Sequence, residues 1–299
     1  MPDNNGISGT NDNKTINARK EDLKFLVLTN SVQPTTTVET LIALYNNGNS
    51  RSVHYLIDKE GFQNQFANDN EQTFTSGRSQ FRGNVSLNQS AVHVMFINNG
   101  NESYPEKQKN KLIAFLKDFR NRHLKIDLKI NLLGLGEVAT EVRKVPLGEG
   151  KIFPRHEAPG KIFWEELAEA LAKLGFGLFL PTEAKDKAQI CISPDSSKEE
   201  ILALQEDLQK YGYAIEASGI YDAATKAWVT RFNQRYVPDA AQQLDANLWS
   251  KASQLSLEYI QHYINAKTNT QSASSRGSFF NQASNFPEAN TVQTLTLNK

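Results

Sequence analysis

The stretch SGRSQFRGNVSLNQSAVHVMFIN, residues 76–98, decides the fold of this chain. Its first half is a loop punctuated by Gly and Ser, and it runs into an apolar segment, Ala91–Ile97. The length and β-branched content of that segment predict a buried central strand. In an open α/β sheet, the loop at the edge of a central strand is where a ligand usually binds. We therefore expect the functional site of this domain near residues 76–98.

Bulk composition narrows the classes of function. The 299 residues suffice for one medium and one small domain, and 33 basic and 33 acidic side chains give a formal net charge of zero. This balance implies no global attraction to nucleic acid or to an anionic membrane. No apolar run approaches the ~20 residues of a membrane span, and the first residues lack the apolar segment of a secretory signal. The single cysteine, Cys191, excludes an internal disulfide and is predicted to be an inert packed thiol.

Sequence patterns divide the chain into two ordered units between polar ends. Residues 1–20 and 267–299 have little to bury and are predicted to be disordered. Residues 21–180 mix strand and helix patterns, which indicates an α/β domain. Residues 181–198 have the composition of a linker, and residues 199–266 carry three helical patterns.

The predicted elements follow from the spacing of apolar residues. In the first domain we predict strands at 23–28, 53–58, 62–66, 91–97 and 130–135, helices at 37–45, 106–122 and 164–174, and a loop over 136–160. The strands at 53–58 and 62–66 should form a hairpin. In the second domain we predict helices at 199–211, 222–233 and 245–265.

Six short motifs occur along the first domain in a fixed order. They are Phe25–Ser31 (FLVLTNS), Ser52–Asp58 (SVHYLID), Phe74–Gly83 (FTSGRSQFRG), Asn88–Met95 (NQSAVHVM), Gly134–Glu137 (GLGE) and Arg143–Gly148 (RKVPLG). This order resembles the amidase-2 family of N-acetylmuramoyl-L-alanine amidases, in particular the outer-membrane amidase D type. The resemblance implies a mixed central sheet flanked by helices, a catalytic zinc ion and cleavage of the muramoyl–L-alanine amide of peptidoglycan.

The helical unit is similar to a second family. Its sequence LQEDLQKYGY, followed by SGIYDAATKAWVTRFNQRY, resembles the type 1 peptidoglycan-binding domain. The matching positions are Leu204, Gln205, Leu208, Gly212, Tyr213, Gly219, Thr225, Val229 and Phe232. The resemblance implies recognition of peptidoglycan or muropeptides through a shallow groove, in which we place Tyr213 and Phe232.

The positions that carry the chemistry of the amidase-2 family are changed in this chain. The resemblance places the two zinc-binding histidines at Thr29 and Leu135, the zinc-binding aspartate at Pro146 (Val145 by bare spacing), the general acid/base glutamate at Met95, the loop histidine at Thr75 and the auxiliary lysine at Lys144. Leucine and proline offer zinc no lone pair, and a threonine hydroxyl is a poor ligand. Methionine cannot carry a proton.

The turn residues of the same motifs are retained. Gly77, Ser79, Gly83, Asn88, Gly134 and Gly148 keep the identities that the family motifs show. Random decay would not spare the turn glycines so selectively, so the pattern predicts a retained fold without catalysis. We therefore expect no catalytic residue, no metal and no cofactor in this protein.

A relocated zinc site is the alternative. His93 and Met95 lie two residues apart on one predicted strand and so face the same side, which should be the cleft. The ligand set would be His93, His54 on the neighbouring strand and Glu137 in the predicted loop over 136–160. His156 from the same loop could replace Glu137. The bland alternative is that both histidines are hydrogen-bonded inside a ligand-binding groove lined also by Phe74 and Phe81. These two phenylalanines either stack on sugar rings or belong to the core.

Three functions remain open from the sequence. The first is a non-catalytic peptidoglycan-binding or scaffold component of a cell-envelope assembly, with protein partners as well as wall polymer. The second is an active zinc amidase with relocated ligands. The third is an intracellular or injected protein whose two modules have become protein-interaction surfaces. The resemblance implies a bacterial envelope or periplasmic location, whereas the missing signal segment conflicts with it, so the compartment stays open.

Overall fold

A mixed five-stranded sheet forms the centre of the first domain in the computed structural model, which describes residues 18–31, 37–46, 52–144, 150–180, 189–238 and 245–276. In chain order the elements of this domain are β1 (Phe25–Asn30), α1 (Val38–Asn46), β2 (Tyr55–Ile57), β3 (Gln63–Gln65), β4 (Gln80–Phe81), β5 (Asn84–Val85), β6 (Ala91–Phe96), α2 (Glu106–Arg122), α3 (Leu128–Asn131), β7 (Leu132–Gly134), α4 (Leu135–Val138), β8 (Thr140–Arg143), β9 (Lys151–Pro154) and α5 (Lys161–Lys173). The strand order of the central sheet is β3-β2-β6-β1-β7.

Strand β6 lies in the middle of this sheet, as the apolar run predicts. It pairs in parallel with β1 on one side and with β2 on the other, and β7 continues the parallel arrangement beyond β1. The hairpin partner β3 is antiparallel to β2 and closes one edge. The predicted mixed sheet, its flanking helices and the hairpin are therefore confirmed.

Helices cover both faces of the sheet because each carries one apolar stripe. Helix α2 buries Leu112, Phe115, Leu116 and Phe119 at helical spacing, and the Phe115 ring lies 4.8 Å from that of Tyr55 in β2. Helix α5 places Phe163 against Phe96 of β6, with ring centroids 5.5 Å apart. Leu41 of α1 packs with Leu56 on the opposite face.

The second domain is helical and has an aromatic core. Its elements are β10 (Ile190–Ile192), α6 (Lys198–Tyr211), α7 (Ala223–Tyr236), β11 (Trp249–Ser250) and α8 (Lys251–Arg276). Ser197 caps α6 by accepting from the Glu200 amide, and Asp222 caps α7 by accepting from the Thr225 amide. Trp228, Phe232 and Trp249 are fully buried between the helices. The small helical domain predicted after residue 199 is confirmed.

Several predicted boundaries are wrong. The strand predicted at 130–135 is present only as β7 (Leu132–Gly134), because α3 ends at Asn131 and α4 begins at Leu135. The predicted loop over 136–160 contains most of α4 and the hairpin β8–β9. Part of the predicted linker forms β10, which pairs with β11. Helix α8 continues to Arg276, beyond the predicted start of a disordered tail. Long-range strand pairing, which local composition does not report, causes two of these differences.

Two single residues also differ from their predicted roles. Arg19 lies in the segment predicted to be disordered, yet its amide donates to the Asn70 carbonyl at 2.9 Å and its side chain is engaged in the first domain. Cys191 is exposed on β10 instead of packed in a core. None of the helices in the described ranges is long and apolar enough to cross a bilayer.

The two domains share a close junction around Gly212, which follows α6. Its φ is +136°, and a Cβ added there would lie 2.6 Å from Arg82 Cγ and 2.9 Å from the Phe81 ring. Replacing Gly212 with alanine is therefore expected to lower the free energy of unfolding by about 1–3 kcal/mol. Urea unfolding followed by tryptophan fluorescence measures this change. Gly83→Ala is the matched control, because Gly83 also has positive φ (+73°) but nothing lies within 4 Å of the added Cβ.

Candidate functional site

The resemblance predicts the zinc ligands at the edge of the sheet where β1 and β7 end, called here the carboxyl edge of β1 and β7. The segment Ala158–Gly160 crosses this edge, and two of its carbonyls hold it there. The Ala158 carbonyl accepts from the Gly136 amide at 2.7 Å, and the Pro159 carbonyl accepts from Asn30 Nδ2 at 3.3 Å and from the Tyr104 hydroxyl at 2.8 Å. A cavity of about 10 Å³ remains beside these residues, which is room for at most about one water molecule.

Thr29 and Leu135, the two predicted histidine positions, both lie at this edge and are buried. Of these two side chains, only Thr29 has a polar group, a hydroxyl, and neither has a nitrogen that could bind a metal. Pro146, the predicted aspartate position, lies outside the described residues, as does Val145. Lys144 is exposed at the end of β8.

A second stretch fits the aspartate motif better than Arg143–Gly148 does. Arg155–Gly160 (RHEAPG) keeps the arginine, proline and glycine of the family's Arg-Lys-x-Asp-Pro-Gly motif, which the sequence resemblance placed at Arg143–Gly148, and it puts Ala158 in the aspartate position. The structure favours this assignment because Ala158 contacts the edge directly, whereas β8 and β9 form a hairpin that separates the two stretches. The spacing of Arg, Pro and Gly was the signal that would have identified it. Alanine, like proline, cannot bind zinc.

The two remaining predicted chemistry positions, Met95 and Thr75, are engaged in packing and in a backbone hydrogen bond. Met95 is half-buried and packs against the apolar cluster of Leu41, Val53 and Leu56, so the acid/base position is part of the core. The Thr75 hydroxyl donates to the Ser52 carbonyl, just before the Gly- and Ser-rich loop that begins at residue 76. Methionine has no ionisable proton, and the Thr75 hydroxyl proton is used in the hydrogen bond to Ser52.

His54 and His93 are fully buried, and each ring is hydrogen-bonded to neighbouring backbone or side-chain groups. His54 Nδ1 accepts from the His93 amide at 3.0 Å, so the proton of the neutral ring sits on Nε2, which donates to the Glu71 carbonyl at 3.0 Å. The Thr73 hydroxyl lies 3.1 Å from His54 Nδ1 and 3.0 Å from His93 Nδ1. The Ser76 hydroxyl lies 2.5 Å from His93 Nε2. Both rings therefore act as structural hydrogen-bonding groups.

Burial keeps both imidazoles neutral. Desolvation lowers the pKa of His54 to about 3, although its hydrogen bond with Glu71 opposes the shift. Desolvation also lowers the pKa of His93 well below its ordinary value, and the charge of Arg19 adds to both shifts. The Ser76–His93 pair has the spacing of a nucleophile and its base, but neither side chain is accessible to a substrate.

Arg19 supplies the cation beside this histidine pair. Its Nη2 donates to the carbonyls of Asp69, Glu71 and Ala91 at 2.9–3.1 Å and lies 3.3 Å from His54 Nε2. Sequence patterns gave no signal for this role, because Arg19 stands in a polar segment without periodicity. Its guanidinium ties the segment before β1 to the central strand β6.

Glu137 belongs to a different network at the domain junction. Its carboxylate accepts from the Gly134 amide at 2.7 Å, from the Tyr211 hydroxyl at 2.8 Å and from Arg235 of α7, and both members of the Glu137–Arg235 ion pair are buried. Arg235 also donates to the Leu132 carbonyl at 2.6 Å. Burial lowers the pKa of Arg235, and the Glu137 charge outweighs this and holds it above the ordinary value.

The set of His54, His93 and Glu137 is therefore divided between two networks. Across the part of the chain that the structure describes, no three His, Cys, Asp or Glu side chains are placed so that they could hold a metal ion. The family implies a catalytic zinc ion, and the donors at its expected site are a threonine hydroxyl beside leucine and alanine side chains. These residues do not fit zinc, which takes nitrogen, thiolate or carboxylate ligands.

Two of the four aromatic residues predicted to line a groove, Phe81 and Phe232, are in the core. Phe81 is fully buried with its ring 6.0 Å from Phe25, and Phe232 is fully buried against Trp249. Phe74 is exposed, with 37% of its surface accessible. Tyr213 lines a groove of about 700 Å³ at the domain junction.

These features define a class of protein, an amidase-like α/β domain joined to a peptidoglycan-binding helical domain. Residues 19–160 match the family model of N-acetylmuramoyl-L-alanine amidase, amidase-2, and residues 197–240 match that of a peptidoglycan binding domain. A Rickettsia conorii protein named as a candidate N-acetylmuramoyl-L-alanine amidase is 37% identical over 258 residues, covering 84% of this chain and 91% of the relative. This chain belongs to the amidase-2 family of N-acetylmuramoyl-L-alanine amidases.

Two solved structures share the fold. AmiD from E. coli, in complex with anhydro-N-acetylmuramic acid-L-Ala-D-γ-Glu-L-Lys, has a TM-score of 0.62 at 18% identity, covering 85% of this chain and 93% of AmiD. AmpDh3 from Pseudomonas aeruginosa, in complex with an anhydromuramic pentapeptide, has a TM-score of 0.55 at 20% identity, covering 80% of this chain and 92% of AmpDh3.

Proposed function

We propose that this protein binds peptidoglycan without hydrolysing it and acts as a component of a cell-envelope assembly. The observation that carries the proposal is the donor set at the carboxyl edge of β1 and β7. Thr29, Leu135 and Ala158 stand at the three metal-ligand positions, and Met95 stands at the acid/base position. A hydrolase of this type needs a metal with an open position to lower the pKa of bound water, and these side chains do not provide one.

The segment that crosses the edge, the two buried histidines and the intact helical domain support the same proposal. The segment Ala158–Gly160 is hydrogen-bonded across the carboxyl edge of β1 and β7, so a substrate amide would have to displace it. The His54 and His93 rings are neutral, buried and already hydrogen-bonded within the domain. The helical domain keeps its capped helices and aromatic core, which supports retained binding of wall polymer.

Zinc content and amide cleavage test this proposal together. The purified chain is incubated with zinc, dialysed and analysed for metal, then mixed with purified sacculi and with anhydro-N-acetylmuramic acid-L-Ala-D-γ-Glu-L-Lys, using AmiD as a positive control for cleavage. We expect no stoichiometric zinc, no cleavage and retention of the protein on sacculi.

The opposite results separate the alternatives. About one zinc per chain together with muramoyl–L-alanine cleavage would establish an active amidase, and loss of both in His54→Ala or His93→Ala would place its ligands there. Failure to bind sacculi would overturn the wall-binding function and favour protein-interaction surfaces.

A further inference from the structure

A basic patch surrounds the end of α2 and the turn that follows it, although the formal net charge of the whole chain is zero. The patch consists of four basic residues and one apolar residue, all of them exposed: Lys117, Arg120, Leu124, Lys125 and Lys129. Helix α3 leads from this surface into β7. The patch therefore lies at the end of the sheet where β7 begins, opposite to the carboxyl edge of β1 and β7.

The turn after α2 holds Leu124 and Lys125 at its tip. The Ile126 amide donates to the His123 carbonyl at 2.9 Å, so Leu124 and Lys125 occupy the two corner positions of a β-turn. The chain is fixed directly after the turn, because Ile126 is buried and Asp127 caps α3. The exposure of Leu124 is therefore a feature of a defined turn and not of a frayed helix end.

Leu124 places an apolar side chain among these basic groups. It is 83% exposed, the highest value among the large apolar side chains in the described ranges. A single exposed leucine needs no explanation by itself. An exposed apolar side chain surrounded by Lys and Arg, however, is the pattern of surfaces that lie at a membrane interface, where the apolar group leaves water and the cations stay with the headgroups.

Basic side chains from different elements meet beside Gly175, which follows α5. A Cβ added to Gly175 would lie 3.8 Å from Arg120 Nη1 and 3.8 Å from Lys129 Cε, so both side chains flank this glycine. Arg120 is held there, since it donates to the Leu174 carbonyl at 3.0 Å and its guanidinium lies 4.7 Å from the centre of the Phe176 ring. Two basic groups kept side by side favour an anionic partner.

The acidic residues around the patch do not cancel its charge. Residues 117–129 include five Lys or Arg and two Asp, which gives a formal net charge of +3 with histidine neutral. Both aspartates are engaged, because Asp118 pairs with Arg122 at 2.8 Å and the other caps α3. Glu21 and Asp22 lie beside the residue that ends α2 and mark the border of the patch on that side. The patch is thus positive over the surface around Leu124.

We propose that the basic patch is a peripheral docking surface for a lipid bilayer with anionic headgroups. Leu124 enters the boundary between headgroups and acyl chains, and the surrounding Lys and Arg side chains contact the lipid phosphates. The exposed leucine favours a bilayer over a soluble polyanion, which offers no apolar region to receive it. An anionic membrane attracts basic side chains by about 5-fold in affinity for each cation near its surface. The proposal is independent of peptidoglycan binding, and both together would let one chain bridge the wall and a membrane.

Co-sedimentation with vesicles tests this surface. We expect the wild-type chain to bind vesicles of phosphatidylglycerol and phosphatidylcholine in equal parts but not vesicles of phosphatidylcholine alone, with weaker binding as salt rises from about 0.05 M to about 0.5 M. The variant Leu124→Ser, Lys125→Glu should bind the anionic vesicles at least about 10-fold more weakly. The matched control is Lys198→Glu, Ile220→Ser, which makes the same changes of charge and polarity at exposed residues of the helical domain. Urea unfolding verifies that both variants are folded.

Each outcome supports or overturns the surface. Salt-sensitive binding to the anionic vesicles that is lost in the patch variant and kept in the control supports it. Absence of binding, equal binding to phosphatidylcholine vesicles, or a patch variant that matches its control overturns it and leaves wall binding in place. Leu124→Ser alone should weaken binding about 3- to 10-fold. Unchanged vesicle binding by this variant, with wild-type retention on immobilised polyphosphate, would assign the patch to a soluble polyanion and overturn the bilayer.

Discussion

Acidification from about pH 6.5 to about pH 4.5 is expected to lower the free energy of unfolding by about 2 kcal/mol through His54, and the lowered pKa of His93 adds to this loss. Both imidazoles have a lower pKa in the folded protein than in the unfolded chain, and that of His54 falls to about 3. In this window the unfolded chain binds protons that the folded protein does not. The stability that the neutral rings contribute is therefore present above pH 6.5 and is lost as the pH falls.

Urea unfolding at a series of pH values measures this dependence. The variant His54→Gln, His93→Gln should show a flatter profile between pH 6.5 and 4.5, whatever its absolute stability. If the double variant does not fold, the ring resonances of the wild-type protein give the answer by NMR. Rings that become protonated above about pH 5.5 in the folded state, or a wild-type profile that is flat over this window, would contradict the expectation.

Replacement of Arg235 by methionine is expected to lower the free energy of unfolding by about 3–5 kcal/mol. The change leaves the Glu137 carboxylate buried beside Tyr211 without its counter-ion, and it removes the donor to the Leu132 carbonyl. The double variant Glu137→Gln, Arg235→Met should recover part of this loss, because the uncompensated charge is gone. A double-mutant cycle measured by urea unfolding gives the coupling between the two side chains.

Arg143→Met is the matched control for this prediction. Arg143 pairs with Glu141 on the exposed strand β8, and such surface pairs contribute about 0–1 kcal/mol. An equally small effect at Arg235 would mean that the junction tolerates an unpaired carboxylate. A double variant that is no more stable than Arg235→Met would show that the charge of Glu137 is not the cause.

The parts of the fold set by local periodicity were predictable. The length and β-branched content of Ala91–Ile97 identified the central strand, and the apolar stripe of residues 106–122 gave a helix with the observed bounds. The hairpin β8–β9 was missed because its strands carry few apolar residues, and two of the four β8 residues are exposed. Because this hairpin separates Arg143–Gly148 from Arg155–Gly160, the aspartate position was assigned to Pro146 instead of Ala158.

The roles of the buried polar residues could not be predicted from the sequence. His54 and His93 were predicted as candidate ligands of one site, but their tautomers depend on Thr73, Ser76 and Glu71, which only the folded loop brings near. Glu137 and Arg235 are 98 positions apart and belong to different family modules. Long-range partners of this kind leave no periodic or compositional signal, so the sequence could not distinguish a metal ligand from an ion-pair partner.

The junction between the domains has a consequence for how the protein holds a polymer. Two binding modules on a flexible tether act in sequence, and the second event gains from a high effective concentration. Here Gly212 touches Arg82, Arg235 is buried against Glu137, and the Trp228 indole donates to the Ile152 carbonyl at 3.1 Å. The modules are therefore held in one fixed arrangement, so capture of a strand of cell wall does not cost the freedom of one module relative to the other.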